Sequence, residues 1–184
     1  MKEVCVFLAD GFEEIEGLTV VDLLRRAGIG VETMSVMGRR EIRGAHGIEV
    51  LADAVFAQET FGEAKMLVLP GGMPGTLHLK EHKGLEALLM QYHEAEKYLA
   101  AICAAPTVFG ALGLLKGRRA VCYPGMEDGL TGADVAFEPV VTDGHITTSR
   151  GLGTAIDFSL RLIEVLRGAD AAQKIAEQVV YAQK

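Results

Sequence analysis

The chain contains no asparagine in its 184 residues, so it carries no N-glycosylation sequon. It also lacks a long hydrophobic run. Its most apolar stretches, residues 4–9 and 98–105, fall far short of the roughly 18 residues that a membrane-spanning helix needs. Residues 2–9 are too short for the apolar part of a signal peptide, and Asp10 follows at once. Basic charge is scarce. The 18 Lys+Arg against 25 Asp+Glu leave a formal net charge of −7, which excludes the footprint of a protein that binds nucleic acid or anionic lipid. Cysteine is scarce too: Cys5, Cys103 and Cys122, an odd count with no C-x-x-C pair. A chain of this length buries a core without cross-links, so free thiols in a cytoplasmic protein are expected, not a disulfide framework.

What is present reads as one globular domain over residues 1–184. Hydrophobic residues make up 49% and charged residues 23%, an ordinary balance for a packed core. Apolar runs at 4–9, 31–37, 66–69, 98–102 and 120–123 predict strands. Helical spacing predicts helices at 13–27, 85–92, 106–112, 154–166 and 171–182. Residues 41–43 and 48–51 suggest a small hairpin, and Asp143-Gly144 a tight turn between 140–142 and 145–148. Strands alternating with helices imply a largely parallel sheet covered on both faces, with its chemistry at the carboxyl ends of the strands.

Two glycine-rich segments and one histidine motif carry little. Gly151-Leu152-Gly153 lacks the third glycine of a dinucleotide fingerprint, since Ile156 takes its place, and a tight turn into a helix explains it. Pro70-Gly71-Gly72-Met73-Pro74-Gly75 lacks the Lys-Ser/Thr of a phosphate loop, but its N–H groups are open to an oxyanion. His78-Leu79-Lys80-Glu81-His82 matches H-x-x-E-H formally, yet reads better as the solvated start of a helix than as a metal site. No metal and no cofactor is expected.

Cys103 stands apart. It lies in Ala100-Ala101-Ile102-Cys103-Ala104-Ala105-Pro106, between an apolar strand and a helix opened by proline, the layout of a nucleophile elbow. A sulfur there faces unpaired N–H groups and the positive end of a helix, which favour its thiolate. The acidic turn Asp10-Gly11-Phe12-Glu13-Glu14-Ile15-Glu16 follows the first strand at the same sheet edge. Glu13 and Glu14 read as complements of the helix dipole. Glu16 can instead reach over the strand ends toward Cys103, and such a carboxyl should be buried, with a raised pKa, and able to move a proton. Cys5 and Cys122, each placed in a strand, keep a packing role.

Taken in order, Ala9–Glu16, Arg25-Arg26-Ala27-Gly28, Leu69-Pro70-Gly71-Gly72, the Cys103 segment and Thr148-Ser149-Arg150-Gly151-Leu152-Gly153-Thr154 resemble the ThiJ/PfpI superfamily, and within it the branch of the parkinsonism-associated protein deglycase. The resemblance covers nearly the whole chain. It implies a flavodoxin-like α/β sandwich that forms a homodimer. It also implies that Cys103 is the reactive, oxidation-sensitive cysteine, Glu16 the protonated glutamate beside it, and the N–H groups of Gly72 and Ala104 the oxyanion donors. Gly71 and Tyr123 fall in the implied pocket. The activity implied is glutathione-independent glyoxalase, turning methylglyoxal into lactate, or deglycase action on early glyoxal adducts of proteins. The alternative is a redox-responsive stress protein or chaperone that uses oxidation of Cys103 with little turnover. A small aldehyde needs no charge steering, in keeping with the acidic balance.

The departures are informative. Tyr123 stands where relatives often carry histidine, and tyrosine is a poor base at neutral pH. The protease branch places histidine directly after the nucleophile, where this chain has Ala104. An amidotransferase needs a downstream His and Glu pair, and His145 is followed by Ile-Thr-Thr. Leu152 replaces a proline common in that loop. Protease and amidotransferase activities are therefore disfavoured.

Overall fold

The computed structural model describes residues 2–56 and 61–181. Its elements follow in the order β1 (Val4–Leu8), α1 (Glu14–Arg26), β2 (Val31–Ser35), β3 (Glu41–Arg43), β4 (Glu49–Leu51), β5 (Ala54–Val55), β6 (Met66–Leu69), α2 (Gly75–Glu81), α3 (Lys83–Glu94), β7 (Tyr98–Ile102), α4 (Pro106–Ala111), β8 (Arg119–Ala120), β9 (Asp134–Val135), β10 (Val140–Asp143), β11 (Ile146–Ser149), α5 (Ala155–Arg167) and α6 (Ala169–Gln178). Seven strands form one sheet in the order β10-β11-β7-β6-β1-β2-β5. All neighbours in it are parallel except the hairpin β10–β11. β3–β4 and β8–β9 are separate two-stranded ribbons.

The alternation of side chains along β1 shows why its sequence is apolar throughout. Cys5 and Phe7 face a layer of α2, α3 and α4 through Leu79, Leu88, Leu89 and Phe109. Val4, Val6 and Leu8 face α1 and α5 through Val20, Leu24, Phe158 and Leu162. Both faces are covered, so no strand position can be polar without a buried partner. No helix among the described residues is long and apolar enough to cross a membrane.

The expected α/β architecture is the observed one, with local corrections. The predicted strand 120–123 is only Arg119–Ala120. Beyond it the Val121 N–H donates to Thr148 Oγ1 at 3.0 Å and the Tyr123 N–H to the Cys103 carbonyl at 2.8 Å, so these groups are taken by a side chain and a turn, not by a ladder. Cys122 accordingly lies in a loop, not at a strand end. The helix start expected at residues 78–82 is part of a separate short helix, α2, which opens earlier, at Gly75, and ends at Glu81, before His82. The H-x-x-E-H motif is consequently split. His78 lies in α2, while His82 precedes α3, accepts the Leu85 N–H at 3.0 Å and packs its ring on Phe56. The two do not share one helix face. Helix α6 ends at Gln178, and the predicted end of that helix, Ala182, lies outside the described residues.

Candidate active site

Four adjacent parallel strands, β11, β7, β6 and β1, end side by side and deliver four loops to one edge. β11 leads to Gly151, β7 to Cys103, β6 to Gly71 and Gly72, and β1 to the turn that opens α1 with Glu16. The sheet order thus assembles residues from Glu16 to Gly151, 135 positions apart in the chain. This is the carboxyl-end crevice of an open parallel sheet.

Cys103 occupies a left-handed backbone conformation, φ 66°, a position that costs a non-glycine residue about 1–3 kcal/mol and must be held by its surroundings. Its N–H donates to the Ser149 carbonyl at 3.0 Å, and its carbonyl accepts from Tyr123. The following turn is closed by Ala105 N–H on the Ile102 carbonyl at 3.1 Å, and Pro106 opens α4. Of the three free cysteines, Cys5 and Cys122 are buried and Cys103 is partly exposed.

Glu16 is 1% exposed. Its Oε2 accepts the Gly71 N–H at 2.9 Å, while its Oε1 is buried without a hydrogen bond of good geometry. The Gly71 carbonyl in turn accepts the Glu13 N–H at 2.9 Å, which ties this peptide to the start of α1. Burial pushes the Glu16 carboxyl up to about 7, against the pull of Cys103 and the Gly71 N–H. Burial, and then the Glu16 charge, push the Cys103 thiol up to about 12, while the N–H groups of Ala104 and Gly72 pull it down. The expected lowering at the helix end is therefore outweighed, because the sulfur is desolvated beside an acid and α4 spans only six residues. Two acids this close titrate as a pair. The first proton leaves near neutrality, the second is retained to strongly alkaline pH, and in between the pair holds one proton and one negative charge.

The glycines here are fixed by approach. A Cβ on Gly71 would stand 2.6 Å from Cys103 Cβ and 2.7 Å from Glu16 Oε2. Gly72 has φ 89°, and a Cβ there would meet the Gly11 carbonyl at 2.6 Å. Neither the Gly72 nor the Ala104 N–H is taken by a backbone carbonyl among the described residues, so both remain open toward the sulfur. Gly151 was read from sequence only as a turn former. A Cβ on it would lie 3.9 Å from Cys103 Sγ and 3.3 Å from the Tyr123 ring. Its N–H is held by Thr154 Oγ1 at 3.1 Å, which itself meets Ser149 Oγ at 2.7 Å. These glycines serve close packing around the thiol and leave the dinucleotide reading without support.

Other polar groups have other work. Glu14 is buried and accepts the N–H groups of His46 at 2.8 Å and Ile48 at 3.4 Å, pinning the β3–β4 loop onto α1. With Glu13 and His46 it forms the one group of metal-ligand types among the described residues, and loop anchoring accounts for it. His145 sits at the opposite, amino end of β11 and pairs with His93 at 3.0 Å. No histidine is among the groups that shift Cys103. Two surface hollows, of about 440 Å³ between α5 and α6 and about 550 Å³ beside α1, are lined by none of Glu16, Gly71, Gly72, Cys103 and Gly151. Chemistry, not volume, marks the site.

Two tests follow from this geometry. Gly71→Ala should destabilise the fold by about 1–3 kcal/mol, because the methyl overpacks Cys103 and Glu16; an unchanged urea midpoint would contradict the close approach. Glu16→Gln should stabilise the protein in a pH-dependent way. Below pH 4.5 the carboxyl is protonated in folded and unfolded chains alike. Between 4.5 and about 7 the unfolded chain loses the proton first, so wild-type stability falls as pH rises and levels off above 7. The glutamine variant should gain up to about 3 kcal/mol on wild type at pH 8 and little at pH 4. A constant difference across that range would show that Glu16 is not raised.

A partly exposed cysteine with left-handed backbone on a strand–helix turn, at the carboxyl edge of a flavodoxin-like sheet, defines the class of protein. The DJ-1/PfpI family model matches residues 2–165, and the chain belongs to that family. It is 38% identical over 181 residues to protein DJ-1 homolog B of Arabidopsis thaliana, covering 97% of this chain but 41% of that protein, so the chain spans about two fifths of that relative's length. It is 33% identical over 167 residues to a deglycase of Pyrococcus abyssi, covering 89% of this chain and 99% of the relative. Among solved structures, oxidized Toxoplasma gondii DJ-1 superposes with a TM-score of 0.93 at 36% identity, each chain covered in full.

Proposed function

We propose that this chain is a cysteine-dependent glyoxalase or deglycase, with Cys103 as nucleophile and Glu16 as proton shuttle. The observation that carries the reading is the one-proton pair. A partly exposed thiol shares a proton with a carboxyl raised to about 7, and two unused N–H groups face the sulfur. Those donors pull toward the tautomer with the charge on sulfur and the proton on Glu16, the minor form at rest, because burial and the Glu16 charge hold the thiol protonated. Membership of a family that includes a named deglycase supports the same reading.

In this account the thiolate attacks the aldehyde carbon of methylglyoxal, forming a C–S bond and an alkoxide in reach of the Gly72 and Ala104 N–H groups. Glu16 protonates the alkoxide and becomes the carboxylate. It then takes the C1 proton and returns it to C2, while the hydroxyl proton passes between the two oxygens through solvent. The product is a lactoyl thioester. Water cleaves its C–S bond, releasing lactate and the thiolate; one of the two protons set free restores Glu16 and the other leaves to solvent, so water is the only co-reactant and no net oxidation occurs. For a glycated side chain the amine, thiol or guanidine leaves first. Tyr123 and Gly71 line the approach. The chain acts in this reading as one domain, in a cytoplasmic homodimer; the exposed Ile15 and Leu18 of α1 and Ile48 and Leu51 of the neighbouring hairpin suit self-association.

Supplying methylglyoxal without glutathione and measuring lactate tests the proposal. Wild type forms lactate, and a wild type that forms none beyond Cys103→Ser ends it. A second reading, redox sensing through Cys103 with little turnover, is favoured by the greater exposure of this thiol over Cys5 and Cys122. Selective peroxide oxidation of Cys103 together with absent lactate formation would establish that reading instead.

A further inference from the structure

Tyr123 is placed more tightly than a surface aromatic needs to be. Its N–H is fixed on the Cys103 carbonyl at 2.8 Å, so the loop after β8 is tied to the elbow itself. Its ring lies against Gly151, at a point where a Cβ would touch the Tyr123 ring at 3.3 Å and the Cys103 sulfur at 3.9 Å. Ring and sulfur therefore flank the same Cα, and the ring forms one side of the way in. Yet the residue is 51% exposed, and its hydroxyl has no hydrogen bond among the described residues. Its neighbours repeat the pattern. Leu152, next to Gly151, and Met73, next to Gly72, are exposed large apolar side chains on two further loops that meet at the thiol. Single exposed apolar residues are ordinary. Three on separate loops, each tied to the elbow or next to a glycine that approaches the thiol, offer apolar surface at this edge of the sheet.

We propose that Tyr123 is the specificity-determining residue of this site, its ring the wall on which the substituent of a 2-oxoaldehyde lies, so that aryl glyoxals gain over methylglyoxal. This rests on the 2-oxoaldehyde reading given above. The physical basis is offset or edge contact of an aryl group with the phenol ring, which a methyl group cannot match in area. Glycine at 151 lets the ring lie this close to the elbow, because a Cβ there would already crowd it at 3.3 Å.

The test compares kcat/KM for phenylglyoxal and methylglyoxal in wild type, Tyr123→Phe and Tyr123→Ala. The ratio of the two substrates cancels both their intrinsic reactivities and the fraction of folded protein when variants are compared. The phenylglyoxal-to-methylglyoxal ratio should fall about five- to tenfold in Tyr123→Ala and stay within about twofold of wild type in Tyr123→Phe. An unchanged ratio in Tyr123→Ala overturns the assignment. An equal fall in Tyr123→Phe also overturns it, because the hydroxyl and not the ring would then discriminate. If wild type turns over neither substrate, the 2-oxoaldehyde reading itself fails and takes this proposal with it, an outcome distinct from turnover with an unaltered ratio.

Discussion

Cys103→Ser should lower lactate formation from methylglyoxal by about a thousandfold or more while the protein stays folded. The replaced atom is the one that bonds to substrate. A hydroxyl in the same partly buried place ionises far above any working pH, and the carboxyl beside it, raised to about 7, is too weak a base to activate it. Serine is close to cysteine in size and keeps the backbone contacts that hold the turn, namely the N–H on Ser149 and the carbonyl under Tyr123. Thermal stability should therefore change little. Retention of activity within about tenfold would mean that Cys103 shapes the elbow without attacking substrate. The buried cysteines supply the control, since neither Cys5→Ala nor Cys122→Ala removes a group near the reacting carbon.

Glu16→Ala should lower the same activity by about a hundred- to ten-thousandfold, the range for loss of a general acid–base group. The effect should fall on kcat, because Glu16 moves protons after the C–S bond has formed. The thiol should remain open to alkylation, which separates loss of the shuttle from loss of the nucleophile. Comparable losses of turnover and alkylation would instead make Glu16 a structural support. The carboxyl is fully buried, with one oxygen on the Gly71 N–H and the other without a good hydrogen bond, so a proton has both a reason to stay and a place to go.

The sequence makes the parallel α/β fold legible because the strands are continuous apolar runs and the helices carry a one-sided stripe. β6 and β7 are found at their observed bounds, 66–69 and 98–102. What escapes local reading is decided by partners far along the chain. The strand predicted at 120–123 stops at Ala120 because Thr148 and Cys103 take the next N–H groups, a competition no window around 120 can reveal. The helix start expected at 78–82 lies instead within a helix of its own, α2, opened by Pro74 and Gly75, which usually mark loops. The same limit applies to the site. Cys103 and Glu16 were readable from an elbow pattern and an acidic first turn. Gly151 was not, since its closeness to Cys103 follows from β11 lying beside β7 in the sheet. Glu14 read as a dipole complement, whereas it holds the loop at His46. The raised pKa of Cys103 has no sequence signal, because a helix end is visible in sequence and desolvation is not.

The most direct test of the account is the pH dependence of Cys103 alkylation by iodoacetamide, followed peptide by peptide so that Cys5 and Cys122 are scored apart. In a pair that loses its first proton near neutrality, the part of that charge that the Gly72 and Ala104 N–H groups draw onto sulfur predicts a first inflection at a pH of about 7, ahead of the thiol's own loss of a proton at strongly alkaline pH. A first inflection at about 8.5 or above, that of an ordinary isolated thiol, would contradict it.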